Sequence, residues 1–370
     1  MNSNFDVQFG EVDTPALLLD ETKVRSNVDE MQSLVNAAGI SLRPHAKAHK
    51  CSTLARLQRE AGAVGICCAK VGEAEAMVQG GQDDILLTTP IVGDIKIARL
   101  IALAHVASIS VVADDMANLV ELNTAALAAQ VRIGVVIEVD VGQGRCGVPP
   151  GPHAALLLQQ VLLLPALQLV GVQAYQGRLQ CLPSYEVRRN AVVDAMAALR
   201  LSLDAAHEMG LSMPVITGGG TGSVPIDIEL KMLNELQPGS YITMDAAYAV
   251  TEWSADRSLT PFGQPLLVLA SVVSRPSADR AVIDVGWKSI SSDGGTPSVF
   301  GRSNLRFEFG GDEHGIIRAV QGDVNLALGE RLCLVPTHCD TTVNLYDRFA
   351  VHHAGRLQAY WAIEGRGKSQ

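Results

Sequence analysis

Aromatic residues are scarce in this chain, at 4% of 370 residues, and only 18% are charged. The hydrophobic fraction is 48%, which excludes disorder throughout, because enough apolar surface is available to offset the entropy of ordering the chain. No basic run is longer than Arg188-Arg189, and 29 basic against 39 acidic residues leave a net charge of −10. That balance argues against nucleic acid or a membrane surface as a partner. Met1 to Thr14 lacks an apolar core and carries Asp6, Glu11 and Asp13, so no secretory leader is expected. The one long uncharged stretch, Ala154 to Val172, is interrupted by Gln159, Gln160, Pro165 and Gln168. It reads as a buried helix, a turn and a strand rather than a membrane span. Seven cysteines, at 51, 67, 68, 146, 181, 333 and 339, show no repeated spacing. Their odd count argues against a disulfide framework and fits a cytoplasmic location. Sequence repeats and low-complexity segments are absent as well.

What is present is an alternation. By length the chain should form two domains, or one large barrel with an appendage. Apolar runs expected as strands are Leu42–His45, Val64–Ala69, Asp84–Thr89, Ser108–Ala113, Ile133–Val139, Leu169–Tyr175, Pro214–Gly218 and Leu236–Met244. Helix-period segments lie between them; in Glu21–Ala38, Val24, Val28, Met31 and Val35 share one face. Eight nearly continuous apolar strands alternating with helices predict an α/β fold, a (β/α)8 TIM-like barrel over residues 14–258. Beyond it, short β-rich segments separated by turns such as Asp293-Gly294-Gly295 predict a C-terminal all-β domain over residues 259–370. Residues 1–13 are free to pack with that second domain.

In such a barrel, function collects where the strands end. Strand one runs into Arg43-Pro44-His45-Ala46-Lys47-Ala48-His49-Lys50, and strand five ends at Glu138 and Asp140, followed by Gly142-Gln143-Gly144-Arg145-Cys146-Gly147. Strand six ends at Gln173-Ala174-Tyr175, strand seven at Gly218–Ser223, and strand eight at Pro238-Gly239-Ser240-Tyr241. Gly142-x-Gly144-x-x-Gly147 matches a dinucleotide fingerprint, but the acidic residue expected some 20 positions on is missing. The run reads instead as a glycine turn that positions Arg145. Gly218–Ser223, with four glycines and two hydroxyls, can present backbone N–H groups to a phosphate, the plainer alternative being a tight turn. Lys47, with Arg43 and Lys50 nearby, is expected to have a lowered pKa and a reactive amine. A reactive lysine opposite a phosphate nest is what pyridoxal phosphate chemistry needs, although a solvated basic loop would look similar. His45 and His49 have metal-ligand spacing but no accompanying Glu for a hydrolytic zinc. In the second domain, His338-Cys339-Asp340, if extended, points 338 and 340 to one side and suits Zn2+, Mn2+ or Mg2+. Asp312-Glu313-His314-Gly315 is a further polar segment that could line the same cleft or form a surface turn.

Taken together, Asp13-Thr14-Pro15-Ala16-Leu17, Arg43–Lys47, Gly142–Val148, Gln173–Tyr175, Gly218–Ser223, Gly239–Tyr241, Asp312–Gly315 and His338-x-Asp340 resemble, in order, the motifs of the D-threonine aldolase and D-serine dehydratase-like family, fold-type III pyridoxal phosphate enzymes with an alanine racemase-like barrel. The resemblance covers almost the whole chain. It implies Lys47 as the lysine that carries pyridoxal 5'-phosphate. Thr221, Gly222, Gly239, Ser240 and Tyr248 would be phosphate-side or ring contacts, Arg145 and Tyr175 would flank the cofactor, and His338 and Asp340 would bind a divalent metal. His-x-Asp marks the aldolase branch, whereas the dehydratases more often show His-x-Cys. A homodimer is implied because the family's sites lie near subunit interfaces.

The chain departs from the aldolase pattern in three places. Ala69 and Thr89-Pro90 stand where those enzymes carry Gln and Asn-Glu, and Cys181 stands where a histidine deprotonates the substrate hydroxyl. The base is then water on a metal-acidified hydroxyl, His45, or the Cys181 thiolate, with small packing residue as the plainer role of Cys181. The expected function is metal-assisted cleavage of D-β-hydroxy-α-amino acids, D-threonine-like, to glycine and an aldehyde. The alternative is a D-serine or D-3-hydroxyaspartate dehydratase giving a keto acid and ammonia. A mere carrier of the cofactor would need neither the β-domain nor the metal pair.

Overall fold

Two sheets organise the chain, which a computed structural model describes over residues 9–370. Strand β1 (Ala16–Asp20) leads directly into helix α1 (Glu21–Ala38). The turn between them is fixed because the Asp20 carboxylate accepts from the Thr22 and Lys23 N–H groups at the helix start. Alternation then follows as expected: β2 (Ser41–Leu42), α2 (Ser52–Ala61), β3 (Ile66–Cys68), α3 (Val71–Gln79), β4 (Asp84–Leu87), α4 (Asp94–Ala104), β5 (Ser108–Ala113), α5 (Met116–Ala128), β6 (Ile133–Val139), α6 (Pro152–Leu162), β7 (Leu167–Ala174), α7 (Tyr185–Glu208), β8 (Val215–Gly218), α8 (Val224–Leu230) and β9 (Glu235–Leu236).

Strands β2 to β9 form one parallel sheet in the order β2-β9-β8-β7-β6-β5-β4-β3. A parallel bridge from His45 to Cys67 and the bond from Val64 N–H to the Leu42 carbonyl join the two edges, closing the barrel. The apolar strands are buried on both sides, against the helices and against the barrel interior. The last strand is shorter than the expected Leu236–Met244. Pro238 cannot donate to a ladder, and the chain turns into a 3-10 segment at Ser240–Ile242. After it, helix α9 (Ala246–Ala249) is capped by Asp245.

The second sheet contains β10 (Leu266–Ser277), β11 (Arg280–Ile283), β12 (Ser298–Val299), β13 (Leu305–Phe309), β14 (Gly315–Ala319), β15 (Arg331–Val335), β16 (Arg348–His353) and β17 (Arg356–Ala362), with one short helix, α10 (Cys339–Val343). It corrects the boundary drawn at residue 14. Strand β1 pairs antiparallel with β10, Ala16 opposite Leu269, and parallel with β16, Leu18 opposite Ala350. Leu17, Leu18 and Leu19 are all buried, so this run lies inside the second sheet and the barrel starts at α1. Residues 1–8 of the segment expected to pack there lie outside the described residues. No described helix is long and apolar enough to cross a membrane.

Candidate active site

The C-terminal ends of the barrel strands and one edge of the second domain enclose a cavity of about 420 Å³. His45, Lys47, Tyr175, Cys181, Thr221, Gly239, Ser240, Tyr248, His338 and Asp340 all line it. Gly222 lies behind the wall, and a Cβ there would sit 1.8 Å from the Gln180 carbonyl. Only glycine lets the run pass this close. Arg145 lines the adjoining cavity with Lys47 and Tyr175.

Lys47 and Arg145 flank the Tyr175 ring, each with its cationic group 5.7 Å from the ring centroid. The turn that presents Arg145 is tied down by Asp140, whose carboxylate accepts from the Gly142 and Gly144 N–H groups at 3.0 Å each. It is therefore a glycine turn and not a nucleotide loop. The expected basic cluster around Lys47 is neutralised: Arg43 pairs with Asp84 and Glu235, and Lys50 with Glu73. Burial pulls the Lys47 pKa down, but Tyr175 and Asp340 outweigh it, so the pKa is raised rather than lowered. His45 is buried with both ring nitrogens engaged. Nδ1 accepts from the Lys47 N–H at 3.3 Å, so Nε2 is the protonated nitrogen and donates to the Thr88 hydroxyl at 2.9 Å.

The glycine run is built from a buried network. Ser223 Oγ accepts from the Gly220 N–H and from Gln180 Nε2, both at 3.1 Å, and Gln180 Oε1 accepts from the Ser223 N–H at 3.0 Å. Asp227 sits below, 2.7 Å from Ser223 Oγ, and burial pushes its pKa up to about 7. Thr221 is held from the next strand end, its hydroxyl accepting from the Tyr241 N–H at 3.1 Å. Among the described residues, the N–H groups of Thr221, Gly222, Gly239 and Ser240 have no acceptor in the chain. Unpaired N–H groups from two adjacent loops at the cavity's end fit a phosphate.

His338 and Asp340 meet as expected, though not on an extended segment. His338 precedes α10, and Cys339 turns into the protein, fully buried, 2.7 Å from the Met244 carbonyl. His338 Nε2 and Asp340 Oδ2 are 3.7 Å apart, and that carboxylate oxygen is buried without a hydrogen bond. An imidazole nitrogen beside an unsatisfied carboxylate oxygen fits a divalent cation. Among the described residues no third His, Cys, Asp or Glu completes a set of three ligands. His49 is buried away from this pair, its Nδ1 accepting from the Cys51 N–H. Asp312 and Glu313 pair with Lys288 and do not line the cavity.

Cys181 opens to the cavity, yet protein atoms crowding its sulfur push the thiol pKa up to about 11. Three contributors carry no signal in the sequence. Asp293 holds His338, Gln180 buttresses the glycine run, and Asp245 binds the Cys339 and Tyr248 N–H groups. Asp293 lay in a segment legible only as a turn, and the other two have no motif spacing. Glu138, which the sequence places at a strand end, is buried at the end of β6, and burial raises its pKa to about 7.

Known proteins share this fold. Residues 19–247 match the family described as alanine racemase, N-terminal domain, and residues 265–352 match the putative serine dehydratase domain. A D-threonine aldolase of Arthrobacter sp is 41% identical over 97% of this chain and 94% of its own length. A 3-hydroxy-D-aspartate aldolase of Paracoccus denitrificans (strain Pd 1222) is 35% identical over 97% of this chain and 93% of its own. The solved D-threonine aldolase of Filomicrobium marinum superposes with a TM-score of 0.94 at 37% identity, covering 97% of each chain. Such membership implies pyridoxal phosphate as cofactor. The chain belongs to the D-threonine aldolase and D-serine dehydratase-like family of alanine racemase-fold enzymes.

Proposed function

We propose that this chain is a pyridoxal phosphate-dependent, metal-assisted lyase that cleaves D-β-hydroxy-α-amino acids of the D-threonine type to glycine and an aldehyde. The observation that carries this reading is the sharing of one cavity by Lys47, the glycine run and the His338–Asp340 pair. Asp340 is close enough to Lys47 for its carboxylate to raise the lysine's pKa. When bound, the cofactor supplies the electron sink for carbon–carbon cleavage, and a divalent metal supplies Lewis acidity.

The chain's own residues set the geometry. Thr221, Gly222, Gly239 and Ser240 would hold the phosphate, with Tyr175, Arg145 and Tyr248 around the ring. Lys47 would carry the cofactor, held in place by His45 through the bond to its backbone N–H. His338 and Asp340 would hold the metal, which would lower the pKa of a substrate hydroxyl bound to it. Neither His45, with both nitrogens engaged, nor Cys181, with a thiol pKa near about 11, is set up to take the hydroxyl proton. The acidity of that hydroxyl then rests on the His338–Asp340 pair rather than on a base at position 181.

The test is incubation of cofactor-loaded protein with D-threonine and Mn2+, Mg2+ or Zn2+, with and without a chelator. Metal-dependent release of glycine supports the reading; release of ammonia without glycine supports the dehydratase instead.

A further inference from the structure

Arg188, on α7, is among the largest fully buried side chains in the molecule. A buried guanidinium ordinarily meets a carboxylate, because an unpaired charge in the interior is costly. This one bonds only to carbonyl oxygens. Nε donates to Gly222 at 2.8 Å, Nη1 to Leu182 at 2.6 Å, and Nη2 to Glu252. Those carbonyls belong to the glycine run and to the loop bearing Gln180 and Cys181, both of which border the cavity, and to the segment that follows Tyr248.

Among the described residues no carboxylate forms an ion pair with Arg188, although that of Glu252 lies close enough to favour its charge. The Glu252 carboxylate accepts from the Tyr185 N–H at 2.7 Å, and Asp227 bonds to Ser223 Oγ. Burial also favours the neutral form of Asp227, whereas a guanidinium does not give up its proton. The interior behind the glycine run therefore holds a positive charge that its hydrogen bonds satisfy and that Glu252 offsets only through space, without an ion pair. Its link to Gly222 places it one residue's breadth from the N–H groups that fit a phosphate.

We propose that Arg188 is the buried counter-charge for the cofactor's phosphate, acting through the Gly222 peptide without touching the phosphate itself. In a low-dielectric interior such a charge attracts a dianion more strongly than a surface lysine would. It also explains why a cation is tolerated here without an ion pair, since the ligand adds a counter-charge to that of Glu252. The proposal rests on the reading of Gly218–Ser223 as the phosphate site.

The experiment compares equilibrium binding of pyridoxal phosphate and of pyridoxal, which lacks the phosphate, to cofactor-free protein, using intrinsic fluorescence. Arg188→Gln keeps an amide donor for part of this carbonyl set and removes the charge. It should weaken pyridoxal phosphate binding by about ten-fold or more, ~1.4 kcal/mol, and leave pyridoxal within about two-fold. Arg188→Lys, which keeps the charge, should preserve the ratio of the two affinities. Equal losses for both ligands in Arg188→Gln would reduce Arg188 to a structural clamp and overturn the proposal. Should Arg188→Gln not fold, a folded Arg188→Lys variant whose ratio has dropped about ten-fold would overturn it equally. If the unmodified protein itself fails to prefer pyridoxal phosphate over pyridoxal, the phosphate site is wrong and the proposal falls with it.

Discussion

His338 Nδ1 lies 2.7 Å from Asp293 Oδ2. The bond settles which ring nitrogen is left for the cavity, because Nε2 then remains as the free atom, 3.7 Å from Asp340. Thr341 Oγ1 steadies Asp293 from the other side at 3.0 Å. A histidine ligand whose second nitrogen is held by a carboxylate is oriented and made more basic.

Loss of Asp293 should therefore weaken metal binding without removing a ligand. Asp293→Ala is expected to lower metal affinity ~10–100-fold, measured by titration of chelator-treated protein. His338→Ala and Asp340→Ala should each abolish tight binding, while Cys339→Ser, whose side chain points away, should bind like the parent. Undiminished affinity in Asp340→Ala would remove this pair from the metal site.

Lys47 is the lysine that the cavity places beside Tyr175 and opposite the glycine run. Borohydride reduction of the holoenzyme followed by peptide mapping should find the cofactor on Lys47 alone. Lys47→Ala should bind it only reversibly. Attachment to Lys50 or another lysine would contradict the assignment.

Cys181 should be dispensable. With its thiol protonated to about pH 11, Cys181→Ser should keep most of the activity and the same pH–rate profile. A general base typically contributes ~10²–10⁴-fold; a fall of that size with metal and cofactor still bound would make the thiol the base.

Asp227 links the phosphate loop to stability. It holds its proton to about pH 7 in the fold, whereas a free aspartate releases it near ~3.9. Between those values the unfolded chain binds fewer protons than the native one, so stability falls as pH rises through the window. Glu138, with its pKa raised to about 7, adds a contribution of the same sign. Asp227→Asn should flatten part of the decline in Tm of the cofactor-free protein between about pH 4 and 7. A slope equal to the parent's would contradict the buried neutral carboxyl.

The barrel was legible because its strands are apolar on both faces and its helices keep a 3.6-residue period; both signals are local. Strand β1 was not, because Leu17–Leu19 look the same whether they enter a barrel or complete a distant sheet, and only the pairing with β10 and β16 decides. Site residues with unusual local texture, Gly218–Ser223 and His338-x-Asp340, stood out in the sequence. The charge balance around Lys47 did not. Asp84, Glu235 and Glu73, which neutralise Arg43 and Lys50, are far away in sequence and reach them only through the closed barrel. The same holds for Asp293 and Arg188, whose partners are settled by tertiary packing alone.

The most direct test of the central claim is a product balance on D-threonine with cofactor and a divalent metal present. The account predicts one glycine and one acetaldehyde for each D-threonine consumed, with turnover lost on chelation and restored by metal. One keto acid and one ammonia for each substrate, with no glycine, would contradict it.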